Sequence, residues 1–285
     1  MMRLILLTAL TMMAFAANSV LNRMAVGSGR IGVAEFALVR LGAGAVTLLV
    51  FLALRRVRSG RAVWPGWRGR ILGAVALLTY LFGFSVAYAA LPAGAGALIL
   101  FGTVQITMFA GAIAAGEGVP LRRWAGAGVA FCGLVLLLGP GREAISLPHA
   151  AAMVVAGLGW GVYSLAGRAQ ADALAATAWN FVLALPLGLC LAAVLPWRVA
   201  VPATGAGLAL AVLSGAVTSG LGYALWYRVL PDLGAARAAV AQLTVPVIAA
   251  AGGFALLGEG LSLRFVVCAV LVLGGVGIAM LPRGS

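Results

Sequence analysis

The chain is poor in nearly everything that aqueous chemistry uses. Of its 285 residues six are acidic, one is histidine and three are cysteine; lysine is absent, so all nineteen basic residues are arginines. One histidine, His149, near a loop cannot be assembled into a histidine-based catalytic or metal cluster. Cys132, Cys190 and Cys268 are odd in number and each lies inside an apolar run, where a thiol behaves as a small hydrophobe. They imply neither a disulfide framework nor a metal site. The acids sit mainly at the ends of apolar segments and none near a segment centre, which disfavours both converging acid–base catalysis and proton antiport through a buried carboxylate. The sequence therefore predicts no enzyme, no catalytic residue, no cofactor and no metal.

What is present is apolar. The hydrophobic fraction is 64% and the charged fraction 9%, against about 45–50% and about 25% in a soluble domain. This composition predicts an all-α integral membrane protein. A net charge of +13 could suggest nucleic acid, but the arginines stand mostly in short loops between apolar runs, the pattern of a membrane protein's cytoplasmic side. The partners expected are the lipid bilayer and a small-molecule substrate, with no nucleic acid, and the chain is expected as a monomer or homodimer.

About 20 apolar residues cross the hydrocarbon layer as a helix, and ten such runs fit: roughly 3–25, 32–54, 69–90, 93–115, 120–139, 148–167, 173–195, 205–228, 233–256 and 261–281. Their joints carry breakers such as Gly27-Ser28-Gly29, Leu91-Pro92, Gly139-Pro140-Gly141, Leu195-Pro196 and Leu230-Pro231. The longest loop, about Arg55 to Arg68, is too short for a soluble domain, which puts function inside the bundle. Met1 to Arg3 and the run ending near Ala16-Ala17-Asn18 resemble a signal peptide, but are read as the first span because the repeat described next requires it. With the N-terminus inside, thirteen arginines fall on the inner side and five on the outer, leaving Arg40 within a helix. Both termini are then cytoplasmic and the membrane is a bacterial-type inner membrane.

One stretch occurs twice. Gly116-Glu117-Gly118-Val119-Pro120-Leu121-Arg122 returns as Gly258-Glu259-Gly260-Leu261-Ser262-Leu263-Arg264, an offset of 142 residues. A second landmark precedes each copy, Tyr88-Ala89-Ala90-Leu91-Pro92 and Tyr227-Arg228-Val229-Leu230-Pro231. Five spans separate equivalent points, and an odd number reverses direction across the bilayer. The expected architecture is ten transmembrane helices as two inverted five-helix repeats, 1–142 and 143–285, with Glu117 at the cytoplasmic face and Glu259 at the outer face. Inverted halves can exchange inward-open and outward-open shapes around a site near the midplane.

The paired Gly-Glu-Gly copies, each following a Leu-Pro-initiated helix and preceding a glycine-rich one (Gly126, Gly128, Gly133; Gly274, Gly275, Gly277), resemble the drug/metabolite transporter superfamily, in particular its ten-helix EamA-type branch. Phe36-Ala37-Leu38-Val39-Arg40 is similar to that family's aromatic-then-arginine pattern, and Phe15-Ala16-Ala17-Asn18-Ser19 mirrors Trp160-Gly161-Val162-Tyr163-Ser164. The family often places a proline about thirteen residues before the glutamate; Pro246 fits, whereas the first half has Val104. The resemblance implies metabolite export by alternating access, commonly of amino acids, and the first half is most similar to aromatic amino-acid exporters. Drugs or other metabolites are the alternative cargo; a membrane-embedded enzyme or a scaffold subunit is the alternative class.

Candidate substrate-binding residues are those whose chemistry is out of place in hydrocarbon. Tyr80, Phe84 and Tyr88 share one face of the third helix, with Tyr223, Trp226 and Tyr227 as counterparts on the eighth. Tyr88 and Tyr227, next to the joints, read as an interfacial aromatic belt; Tyr80 and Phe84 read as a cavity wall or as packing. Trp160 and Tyr163, beside Gly157, Gly159 and Gly161, read as groove filling or as rings offered to a substrate. Asn18, Gln105, Asn180 and Gln242 are amides within spans, and Asn18, Gln105 and Gln242 are placed with the substrate-contact set. Arg40 could snorkel outward, pair with Glu35, or attract an anionic group. Glu117 and Glu259 are expected to anchor helix joints, each pairing with the arginine five residues later.

Overall fold

In a computed structural model, residues 2–60, 64–116, 121–138, 145–168, 170–195 and 201–280 are described, with the side chains of 123, 138, 168, 234–240, 279 and 280 excepted. They form α1 (Met2–Val26), α2 (Val33–Ser59), α3 (Arg70–Tyr88), α4 (Ala93–Ala114), α5 (Leu121–Leu138), α6 (Leu147–Arg168), α7 (Ala173–Val194), α8 (Gly205–Leu213), a π-helical segment (Ser214–Leu221), α9 (Gly222–Gln242), α10 (Thr244–Leu257) and α11 (Leu263–Met280). No strand occurs among the described residues. Seven helical stretches are long and apolar enough to cross a membrane, α8, the π segment and the start of α9 counting as one (Gly205–Leu233). Three shorter apolar helices, in α5, α10 and α11, bring the number to the ten expected. Large apolar side chains such as Val57, Trp67, Ile71 and Leu263 are exposed, and a bilayer is the surface that would cover them.

The helix ends follow local chemistry. Gly116 and Gly258, the first residue of each repeated stretch, both take the left-handed conformation at φ +76° and +66°, which glycine adopts freely as it ends a helix. Asp172 caps α7 by accepting from the Ala175 amide, and Thr204 caps α8 by accepting from that of Gly207. The Leu91-Pro92 joint is where expected, with Pro92 as the residue before α4. The Leu230-Pro231 joint is not: α9 runs on through Pro231 to Gln242, and the break falls at Leu243. A proline interior to a membrane helix costs one backbone hydrogen bond but does not oblige the helix to stop. Gln242 accordingly ends α9 instead of lying in the middle of a ninth span. Glu117 lies outside the described residues.

The bundle is assembled by close helix crossings at glycine. α3 lies along α6, where a Cβ on Gly159 would fall 2.8 Å from the Ala76 carbonyl oxygen and one on Gly83 would fall 2.8 Å from that of Ala152. α4 uses the other side of α6, with Gly157 against Thr103 and Gly161 against Thr107. α2 receives the π segment, Gly215 resting on the Arg40 backbone. α5 and α11 cross at Gly133 and Gly275. Small residues let backbones approach in a lipid environment, where dispersion contacts replace the hydrophobic drive.

These crossings yield a differential prediction. A Cβ on Gly275 would sit 2.6 Å from both the Ala130 amide nitrogen and the Gly126 carbonyl oxygen, whereas one on Gly277 meets nothing within 4 Å. Gly275→Ala is expected to cost about 1–3 kcal/mol by overpacking and to lower the melting midpoint of the detergent-solubilised protein by several degrees. Gly277→Ala should leave that midpoint unchanged.

Candidate substrate-binding site

The buried interior holds a guanidinium with no ion-pair partner among the described residues. Arg40, two turns into α2, is 0% exposed. Its Nε donates to Ser219 Oγ at 3.0 Å and its Nη2 to Tyr80 Oη at 3.0 Å. The guanidinium carbon lies 5.3 Å from the Tyr80 ring centre and 5.1 Å from that of Phe84, within cation–π range. Nη1 donates to nothing. Neither outward snorkelling nor pairing with Glu35 describes this residue: its stem points inward, and the π segment and α3 supply its neutral partners.

The partners reach Arg40 because of the backbone around it. A π-helical turn is wider than an α turn and rarely occurs without a local demand. Here it presents Ser214 and Ser219 to different helices. Ser214 Oγ donates to Asn18 Oδ1 of α1 at 2.5 Å, while Ser219 accepts from Arg40 of α2. Asn22 of α1 donates to Ser85 of α3 at 3.0 Å. A buried polar network thus joins α1, α2, α3 and the π segment.

Aromatic rings surround the network. Trp160 is the hub, 4.9 Å from Tyr80, 5.2 Å from Tyr223, 5.4 Å from Tyr163 in a stacked pair and 6.3 Å from Phe15. Phe15 also meets Tyr223 and Trp226, each at 5.8 Å, and Phe181 meets Tyr223 at 5.9 Å. Each such pair adds about 0.5–1.5 kcal/mol beyond its buried area. Tyr163 Oη donates to Thr177 Oγ1 at 2.8 Å, while Tyr223 Oη makes no hydrogen bond.

Of the residues singled out in the sequence, Arg40, Tyr80, Phe84, Trp160, Tyr163 and Tyr223 come together in one contiguous cluster, with Asn18 on its polar edge. Gln105 is buried in mid-α4 with an unpartnered Nε2. Gln242 is buried at the end of α9. Among the described residues no ring contact or hydrogen bond ties either amide to the cluster. Phe15, Phe181, Ser214 and Ser219 belong to it and were not expected. Phe15 alone had a signal, since its segment mirrors the one holding Trp160. Tyr88 corrects another expectation: it is fully buried, with its hydroxyl donating to the Ala93 carbonyl at 3.1 Å, and is no part of an interfacial belt.

Ion pairs bind the two ends of the bundle. Glu259 does not pair with Arg264, whose Nε and Nη2 donate to the Leu136 carbonyl. It accepts instead from Arg23 Nε at 3.1 Å and from the Ala93 amide at 2.8 Å, capping α4 while joining it to α1 and the α10–α11 joint. Arg23 is free to do so because it reaches back across the C-terminal end of α3, where it also donates to the carbonyls of Tyr88 and Ala89. At the far end of α2, Arg55 grips Asp172 with both terminal nitrogens, at 3.0 and 2.6 Å. Beside Glu259 a cavity lined by Pro92, Ala250, Ser262 and Phe265 opens at the end remote from Arg55.

Removing an acceptor from Arg40 leaves a buried charged donor unsatisfied. Tyr80→Phe and Ser219→Ala are each expected to destabilise the protein by about 1–3 kcal/mol, read as loss of thermal stability in detergent. Because both act on one guanidinium, the double variant should depart measurably from the sum.

Residues 148–281 match the sequence profile of the EamA-like transporter family. The uncharacterized protein PA1977 of Pseudomonas aeruginosa is 45% identical over 281 residues, which is 99% of this chain and 96% of that protein. A crystal structure at 20% identity covers 95% of this chain and 96% of its own, with a TM-score of 0.64, and so shares the fold. A helical bundle of apolar spans closed around a buried arginine and a ring of aromatic side chains, with that family match, identifies the chain as a member of the EamA-like transporter family, a multi-pass membrane transporter of small molecules.

Proposed function

We propose that this chain exports amphiphilic metabolites bearing a carboxylate, aromatic or neutral amino acids above all, from the cytoplasm across a bacterial-type inner membrane. The observation that carries the reading is Arg40: a wholly buried cation among neutral partners, with one nitrogen unsatisfied and aromatic rings on its flanks. Such a group attracts an anion, and the rings beside it suit an apolar or aromatic side chain. The carboxylate would bind Arg40, with Tyr80 and Asn18 holding the polar edge and Phe84, Trp160, Tyr163 and Tyr223 receiving the side chain. Gln105, with a free Nε2, and Gln242 would take part once the helices carrying them move. A cationic drug is a poorer match, since the cluster carries positive charge.

The same reading holds that the halves 1–142 and 143–285 are inverted five-helix repeats exchanging access to this site, with both termini cytoplasmic. Support comes from the pairing of rings. Phe15 and Trp160 stand at matching places in the two mirrored segments, Phe84 and Tyr223 in the two aromatic stripes, and all four belong to one cluster, Phe84 through Tyr80. The helix packing is also reciprocal: α3 on α6 and α4 on α6 have counterparts in α9 on α1 and α10 on α1. Rings this closely packed leave the site shut, so passage requires the halves to part, first at the Arg55–Asp172 end and then at the Arg23–Glu259 end. Transport runs down the substrate gradient without a deep carboxylate to couple it to protons.

Proteoliposome counterflow tests the reading. Labelled L-phenylalanine should be exchanged, phenylacetate should compete, and phenethylamine, which lacks the carboxylate, should not. Arg40→Met should reduce exchange at least tenfold, and Trp160→Ala should raise KM several-fold for L-phenylalanine more than for L-alanine. Exchange indistinguishable from that of empty liposomes across amino acids and aromatic acids would sink it.

A further inference from the structure

A second buried guanidinium lies at the opposite end of the aromatic cluster. Arg70 is the first residue of α3 and is 1% exposed. Its Nη1 donates to the Ala176 carbonyl at 2.6 Å and to Asn180 Oδ1 at 3.0 Å, and its Nη2 donates to Gln170 Oε1. Its Nε is buried and donates to nothing. Every acceptor is neutral, and no described carboxylate forms an ion pair with it. Asp172, the closest acid along α7, is held by both terminal nitrogens of Arg55. The side chain borders a small cavity whose polar walls include Gln170, Thr177, Asn180, Tyr163 and Tyr227.

A tie between α3 and α7 would need the hydrogen bonds alone, and a neutral donor could make them without the cost of burying a charge, several kcal/mol per ion. What a guanidinium adds is positive charge, and among the described residues no carboxylate forms an ion pair with it. The position adds direction. Arg70 and Tyr80 are ten residues apart on one helix, about 15 Å of rise. Tyr163 spans the gap: it lines the Arg70 cavity and stacks on Trp160 at 5.4 Å, which in turn lies 4.9 Å from Tyr80, the acceptor of Arg40. Two uncompensated cations therefore stand at the ends of one aromatic column.

We propose that the Arg70 cavity, which as it stands has room for about one water, widens into a second anion-binding station that receives the carboxylate of the cargo from the cytoplasmic end before it passes along Tyr163 and Trp160 to Arg40. The inference rests on the carboxylate-bearing substrate and on the topology proposed above. The rings between the stations offer apolar faces to the side chain while the carboxylate exchanges one guanidinium for the other. Gln170, Asn180 and Thr177 supply the neutral polar groups that exchange needs.

Two measurements test it. In inside-out vesicles, where the cytoplasmic face meets the medium, Arg70→Gln should raise KM for L-phenylalanine roughly tenfold with little change in kcat. In right-side-out vesicles KM should be unchanged, and Arg70→Lys should restore part of the loss. An equal KM change from both sides, or none, would overturn the station. The second measurement removes the Arg40 site first: on an Arg40→Met background, benzoate should raise the melting midpoint with rising concentration, neutral benzamide should not, and adding Arg70→Gln should abolish the shift. A benzoate shift that survives Arg70→Gln also overturns the station. If L-phenylalanine is not carried at all, the substrate reading fails, while the benzoate comparison still decides whether Arg70 binds an anion.

Discussion

An arginine side chain held away from water without a counter-ion is the constraint around which this bundle is built. The cost of desolvating a guanidinium is several kcal/mol, and the fold offsets it only in part. Ser219 and Tyr80 each accept one hydrogen bond, the faces of Tyr80 and Phe84 add cation–π attraction, and Nη1 remains without a partner. The surrounding backbone is shaped to deliver those partners. The π turn turns Ser219 toward α2 and Ser214 toward Asn18, and Gly215 lets the chain lie against the Arg40 carbonyl, where a Cβ would be 2.4 Å from the oxygen. A bundle optimised for stability alone would have an apolar residue here.

The bundle is held together in two ways. Glycine-mediated crossings between α3 and α6 and between α5 and α11 bring backbones into close contact. The ends of the bundle are closed differently, by Arg23 with Glu259 and by Arg55 with Asp172. Partly exposed ion pairs contribute little net stability and can be exchanged for water at low cost, which suits contacts that the proposed alternating access would break. Glu259 also caps α4, so opening that end disturbs a helix terminus as well as an ion pair.

Much of the molecule was legible in one dimension. The ten apolar runs marked the helices, because a segment in hydrocarbon has to satisfy its backbone internally. Gly116 and Gly258 marked two helix ends, because the left-handed conformation favours glycine. Arg40, Tyr80 and Tyr223 were noticed because charge and hydroxyls are conspicuous in apolar sequence, and Trp160 because glycines flank it. Arg70 was not, since a linear chain cannot distinguish an arginine in a loop from one that folds back beneath α7. The partner of Glu259 was misjudged for a similar reason: Arg264 is near in sequence, but Arg23 is near in space. Pro231 looked like a boundary, and the helix continued through it.

The sequence by itself determined that this is a multi-helix membrane protein, that a stretch of it is repeated, and which few residues are chemically out of place. Composition and periodicity respond to the solvent around each segment, and that solvent is a local property. Only the tertiary structure decided that Arg40 has neutral partners, that rings from α1, α3, α6 and α9 meet at Trp160 with the α7 ring Phe181 behind Tyr223, and that a second buried cation stands at the other end of them. Those facts depend on which helix faces which, a choice made by glycine crossings and a π turn acting between residues as far apart as Asn18 and Ser214.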